Sequence, residues 1–216
     1  MDVEPFTIAF VAGVTLTRWT TAWAERFPRQ PLAFLPIGPA EQVAVLHDGR
    51  ADVSFVRLPI EQNELSVIPL YSETPVVVVP KAHPVSLFET VTLADLAAED
   101  RVPESLPVED AVELVAAGGG VLVIPQSLAR LHARKDVVAR PVTDAAETRI
   151  AIAWLAERTT PQVEDFVGIV RGRTARSSRS GAQPVASVRE PAPRKPTARK
   201  PAARMQAKRK KPRQGR

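Results

Sequence analysis

The sequence predicts an α/β protein in which strands and helices alternate along a folded body, followed by a basic tail that does not fold. Three observations carry this. Three strand-like apolar runs between residues 6 and 56 are separated by helical periodicity. Strand, helix, strand, helix, strand implies a parallel sheet with right-handed crossovers. A second set of short apolar runs and helical patterns fills 65–170, divided from the first near PVVVVP at 75–80, so two α/β layers are expected. Beyond Arg171 periodicity and large apolar side chains cease.

Residues 6–11, FTIAFV, are β-branched and aromatic enough for a buried strand. Thr15 or Thr17 is placed to cap the following helix, satisfying N–H groups that lack intrahelical partners. Leu16, Trp19, Trp23 and Phe27 then recur on one face until Pro28 stops it. Residues 32–37 read as a second strand, 41–46 as a short helix closed by Asp48-Gly49, and 53–56 as a third strand. Apolar runs follow at 65–71 and 75–80, and VTLADL at 91–96 reads as a capped helix start. Residues 108–117 are helical, 121–124 a strand and 127–133 a helix after Pro125. Strands at 137–142 and 148–155 precede an amphipathic helix at 161–170 with proline in its first turn.

The chain has 216 residues, 29 Lys/Arg, 24 Asp/Glu and no cysteine, which excludes disulfides and thiolate metal sites. Its net charge of +5 conceals a split. Residues 171–216 hold 16 Lys/Arg against one acid, Glu190, and 1–170 hold the other 13 against 23 acids. The start, MDVEPFTIAF, lacks a basic and then apolar leader, and no run approaches the roughly 20 apolar residues of a bilayer span, so a cytoplasmic protein without membrane contact is expected. Residues 172–216 cannot bury enough surface to offset their ordering entropy and are expected to be disordered. Within them RKPTA and RKPAA form a near-repeat before KRKKPR. Arg194, Lys195, Arg199, Lys200, Arg204, Lys208, Arg209, Lys210, Lys211 and Arg213 are the candidate nucleic-acid contacts. Such contacts act by counterion release, without sequence preference and with strong salt dependence. Aromatic residues, which would stack on bases, are absent there. A solubility role, or an intramolecular contact with the acidic body, are the other readings of this tail.

The stretch LHDGRADVSFV at 46–56 resembles the Gly-x-x-Asp turn-and-strand signature of the effector-binding domain of LysR-type transcriptional regulators. VVVVPKAHP (76–84), VTLADLA (91–97), ELVAAGGGVLVIP (113–125) and WLAERTTPQVEDFV (154–167) resemble further blocks of that family, in the same order. The resemblance covers residues 5–171. It implies a type 2 periplasmic-binding-protein-like fold: two α/β subdomains joined by crossover strands, with a ligand in the cleft. Subdomain I would comprise 1–74 and 156–171, and subdomain II 75–155. It also implies a homodimer, a small carboxylate-type effector and a transcription-associated role, with the tail adding non-specific nucleic-acid contact. The chain opens at the first strand of the pattern, so the family's winged helix-turn-helix is expected to be absent. The stretch from Ala97 to Val108 is shorter than the family's insert, which implies a trimmed second subdomain. The alternative is a stand-alone solute-binding or protein-interaction domain with no DNA role.

In such a fold the ligand meets strand carboxyl ends and helix amino ends, where free N–H groups favour anions. Thr15 and Thr17 lie there, as helix caps or as ligand hydroxyls. Arg57 ends the third strand, where its planar fork suits a ligand carboxylate, or an ion pair with Glu61 or Glu64. Gly118 opens a triple glycine that lacks the GKS/T of a phosphate loop. It reads as a helix C-cap and tight turn, or as cleft-lining backbone. Trp19 and Trp23 read as core or dimer interface. His47, His83 and His132 lack metal-ligand spacing, and Ser127 lies in PQSLA rather than GxSxG. No enzyme, metal or cofactor is expected.

Overall fold

The protein is described here by a computed structural model covering residues 4–172. Strands β1 (Phe6–Val11), β2 (Leu32–Ile37), β3 (Val53–Leu58), β4 (Leu65–Glu73) and β8 (Thr148–Leu155) form one sheet in the order β2-β1-β3-β8-β4. Strands β5 (Pro75–Pro80), β6 (Leu122–Pro125) and β7 (Val137–Pro141) form a second, in the order β6-β5-β7. Among the described residues five α-helices accompany them: α1 (Thr17–Arg26), α2 (Ala44–His47), α3 (Val108–Ala116), α4 (Gln126–Leu131) and α5 (Pro161–Val170).

The expected parallel sheet holds for β2, β1 and β3, with Phe6 beside Leu32 and Ile8 beside Val53. It then turns antiparallel, because β8 runs back between β3 and β4. Residues 148–155 are therefore a strand of the first sheet. The body between the first sheet and α1 and α5 is aromatic. Trp19 stacks on Phe55 at 4.7 Å, Phe6 on Trp23 at 5.3 Å, and Phe166 meets Phe6, Trp23 and Phe55. Trp19 and Trp23 are core residues, 4% and 1% exposed.

In the second sheet, PVVVVP shows why a continuous valine run is needed. Successive side chains of a strand point to opposite faces. Val77 and Val79 pack with Val85, Val91, Leu96 and Val142, while Val78 packs with Val102, Ala111, Val112 and Val115. Both faces of β5 are covered.

Three local expectations are corrected. Residues 91–97 form no α-helix: Val91 pairs singly with Val142, and Thr92 and Asp95 close a turn, each accepting the other's backbone N–H. The turn does not propagate because the chain is drawn into pairing at 100–102, where the N–H groups of Val102 and Val121 donate to the carbonyls of Val121 and Asp100. The helix expected at 41–46 is a 3-10 turn, Pro39–Glu41, followed by α2. Neither Thr15 nor Thr17 caps α1. Leu16 occupies the cap position with no side-chain bond, because its side chain is buried and its φ/ψ of −90°/−13° is helical rather than the extended geometry a capping hydroxyl uses. Among the described residues no helix is long and apolar enough to cross a membrane. The tail residues from Arg194 to Arg213 lie outside the described residues.

Candidate functional site

A cleft of about 750 Å³ opens beside the carboxyl end of β1. One side is the β1–α1 loop and first turn of α1: Gly13, Thr15, Thr17, Arg18 and Trp19. The floor is the end of β4 with its link to β5, Leu70 to Thr74. The other side is α4, through Gln126, Ser127 and Arg130. Helix α1 packs against α5 of the first layer, and α4 packs on β5, β6 and β7 of the second, so the cleft lies between the layers.

Its one carboxylate is Glu73. Arg57 sits opposite Ile150 on one side of β8, and Glu73 sits opposite Thr148 on the other. The guanidinium therefore reaches across β8, and Arg57 Nε donates to Glu73 Oε2 at 2.6 Å and Nη2 to Oε1 at 3.1 Å. Thr148 Oγ1 donates to Oε2 at 2.9 Å, and Ser127 Oγ donates to Oε1. Arg57 Nη2 also donates to the Ala12 carbonyl at 3.0 Å. Glu73 is 5% exposed. Burial pushes its carboxyl up, but the bonds from Arg57, Ser127 and Thr148 and the arginine's charge outweigh it and hold Glu73 below the usual carboxylate range. Burial, and then the Glu73 charge, push the Tyr71 hydroxyl up, so it remains a neutral donor in the cleft.

The carboxylate Arg57 meets is thus Glu73, not Glu61 or Glu64. Arg57 supports the floor from behind and is not a lining residue. Thr15 and Thr17 do line the cleft. Gly118 does not. It is the residue after the C-cap of α3, with φ +83°, where the N–H groups of Gly118 and Gly119 donate to the carbonyls of Val115 and Leu114. The sequence reading missed Glu73, Arg18, Tyr71 and Arg130. Arg18 lies 4.4 Å over the Trp19 ring, Arg130 projects from α4, and both are exposed. Neither makes an ion pair among the described residues. His83 has a structural task, accepting the Val85 N–H at 3.3 Å and meeting Glu99 at 3.2 Å.

Two α/β layers around a lined cleft are the architecture of the periplasmic-binding-protein-like class. The family model of the LysR substrate binding domain matches residues 5–104 and 100–175, and the chain belongs to that family. It is 26% identical over 175 residues to the HTH-type transcriptional regulator BudR of Raoultella terrigena, across 66% of this chain and 59% of that protein. It is 24% identical over 207 residues to the HTH-type transcriptional regulator AlsR of Bacillus subtilis (strain 168), across 81% and 68%. The chain spans about three fifths of the length of the first of these regulators. Among solved structures, the BenM effector binding domain with its effector benzoate aligns with a TM-score of 0.67 at 22% identity, over 85% of this chain and 97% of that one. Full-length CbnR complexed with target DNA aligns with a TM-score of 0.65 at 19% identity, over 83% and 72%. At these identities the structural likeness establishes the fold.

Proposed function

We propose that this chain is a cytoplasmic effector-sensing domain that takes a small organic anion, of carboxylate type, in the cleft between its two layers. The observation that carries this is the charge of the lining. Its only carboxylate, Glu73, is satisfied by Arg57, Ser127 and Thr148, whereas Arg18 and Arg130 have no ionic partner among the described residues. Thr15 and Thr17 add hydroxyls beside the uncapped start of α1, where free N–H groups favour negative charge. Arg57 acts by keeping Glu73 ionised and its oxygens turned from the ligand. A volume of about 750 Å³ suits a small molecule. The family's regulators, and the benzoate of the BenM domain, support reading the site as sensory rather than catalytic.

A thermal-shift screen of small carboxylates, aromatic acids and their neutral amides tests this. Acids should raise the melting temperature and amides should not. Equal responses to both, or none to any acid, would remove the anion-sensing reading.

The same proposal gives the tail, through Arg194, Lys195, Arg199, Lys200, Arg204, Lys208, Arg209, Lys210, Lys211 and Arg213, a non-specific nucleic-acid contact serving a transcription-associated homodimer. Full-length protein should shift any duplex DNA with an affinity that falls steeply with salt. A chain ending at Gly172 that binds DNA equally well would show that the tail plays no part.

A further inference from the structure

The cleft has a charge count as well as a sign, and the inference drawn from it rests on the anion-sensing reading above. Arg57 and Glu73 cancel: Nε and Nη2 of the arginine are both bonded to that carboxylate. The lining is left with two positive charges, Arg18 and Arg130, and no further acid. They stand on different layers. Arg18 belongs to α1, packed with α5 on the first sheet, and Arg130 to α4, packed on β5, β6 and β7. A monoanion pairs with one of them and leaves the other without an ionic partner in the cleft. A ligand with two carboxylates meets each guanidinium with a charge-assisted, planar contact. On the floor between the two arginines' elements, Leu70 and Tyr71 line the cleft and supply apolar surface for a carbon skeleton.

We propose that the ligand of this cleft is a small organic dianion, a dicarboxylate, and that Arg18 and Arg130 are its specificity-determining residues, one on each wall. The dianion then ties the two layers together, since each carboxylate is held by a different one. Arg18 is oriented for this by the Trp19 ring beneath its guanidinium.

The test is calorimetric titration of full-length protein with succinate, adipate and isophthalate, each beside its own monomethyl ester, which keeps the skeleton and removes one charge. At least one diacid should bind about tenfold or more tightly than its ester, the scale of one charge-assisted contact. Arg18→Gln and Arg130→Gln should each erase that preference by weakening the diacid to the level of its ester. Arg18→Lys and Arg130→Lys, which restore the charge without the fork, should recover part of it. Both arginines are exposed, so the variants should keep the wild-type fold, checked by circular dichroism. Equal affinity for diacid and ester overturns the dianion while leaving the anion cleft intact, as does a preference that survives in both Gln variants. Binding by neither series overturns the anion reading and this inference with it.

Discussion

Glu73 concentrates the chemistry of the cleft floor in one side chain. Its carboxylate accepts four hydrogen bonds from residues of β3, α4 and β8, two of them from a single guanidinium. Removing one partner of a buried pair leaves the other charge uncompensated, at a cost of about 3–5 kcal/mol. With the Arg57 side chain 17% exposed, the lower end applies, and Arg57→Ala should lose about 3 kcal/mol of unfolding free energy at neutral pH in a urea titration. A loss below about 1 kcal/mol would place the pair with ordinary surface ion pairs.

The same carboxylate makes stability depend on pH. The folded pKa of Glu73 lies below its ordinary value of 4.5, so its contribution is fully present above that value and is lost as pH falls through the folded pKa. Wild type should therefore exceed Glu73→Gln in stability most at pH 7, and the gap should narrow as pH falls from about 5 towards 3. A gap that stayed constant would mean that ionisation of Glu73 contributes nothing to folding.

At the scale of elements, α1 and α5 are a contrasting pair, since both follow threonines and only one is capped by them. Thr160 Oγ1 accepts the Val163 N–H at 3.3 Å, with extended φ/ψ of −77°/163° and Pro161 in the first turn. Thr160→Ala should cost about 1 kcal/mol, and Thr15→Ala or Thr17→Ala less than about 0.5 kcal/mol, in denaturant unfolding without ligand. A large loss at Thr17 would restore it as a cap.

This pair also shows how far the sequence could be read. Local pattern places a threonine near each helix start, but which one caps depends on where the core draws the chain. The burial of Leu16 decided that at α1. Strands β1, β2 and β3 were legible because runs such as FTIAFV bury their residues at short range. The partnership of β8 was not, because its neighbours β3 and β4 are chosen by tertiary pairing. The cleft divides similarly. Thr15 and Thr17 follow from the β1–α1 junction, whereas Glu73 meets Arg57, Ser127 and Thr148 at separations of 16, 54 and 75 residues, and SETP carries no local sign of them.

At the scale of the whole molecule, Gly13, in the β1–α1 loop, lies against Ser127 of α4 and brings the two layers into contact. A Cβ on Gly13 would stand 2.7 Å from Ser127 Oγ and 3.0 Å from Ser127 Cβ, closer than the layers tolerate without shifting. Gly118 is the internal control. Its φ of +83° resembles the +88° of Gly13, but a Cβ there has nothing within 4 Å. Both alanine variants bear the cost of a left-handed backbone, about 1 kcal/mol. Only Gly13→Ala also wedges α4 away from the β1–α1 loop, adding about 1–3 kcal/mol as an overpacked contact does. Gly13→Ala should therefore be the less stable of the two, enlarge the radius of gyration in solution scattering and weaken binding of any acid found in the cleft. Gly118→Ala should change neither of the last two. Adding Ser127→Gly to Gly13→Ala makes room for the methyl group, so the double variant should be more stable than the sum of the single losses predicts. Strict additivity would mean that the layers do not meet through this pair.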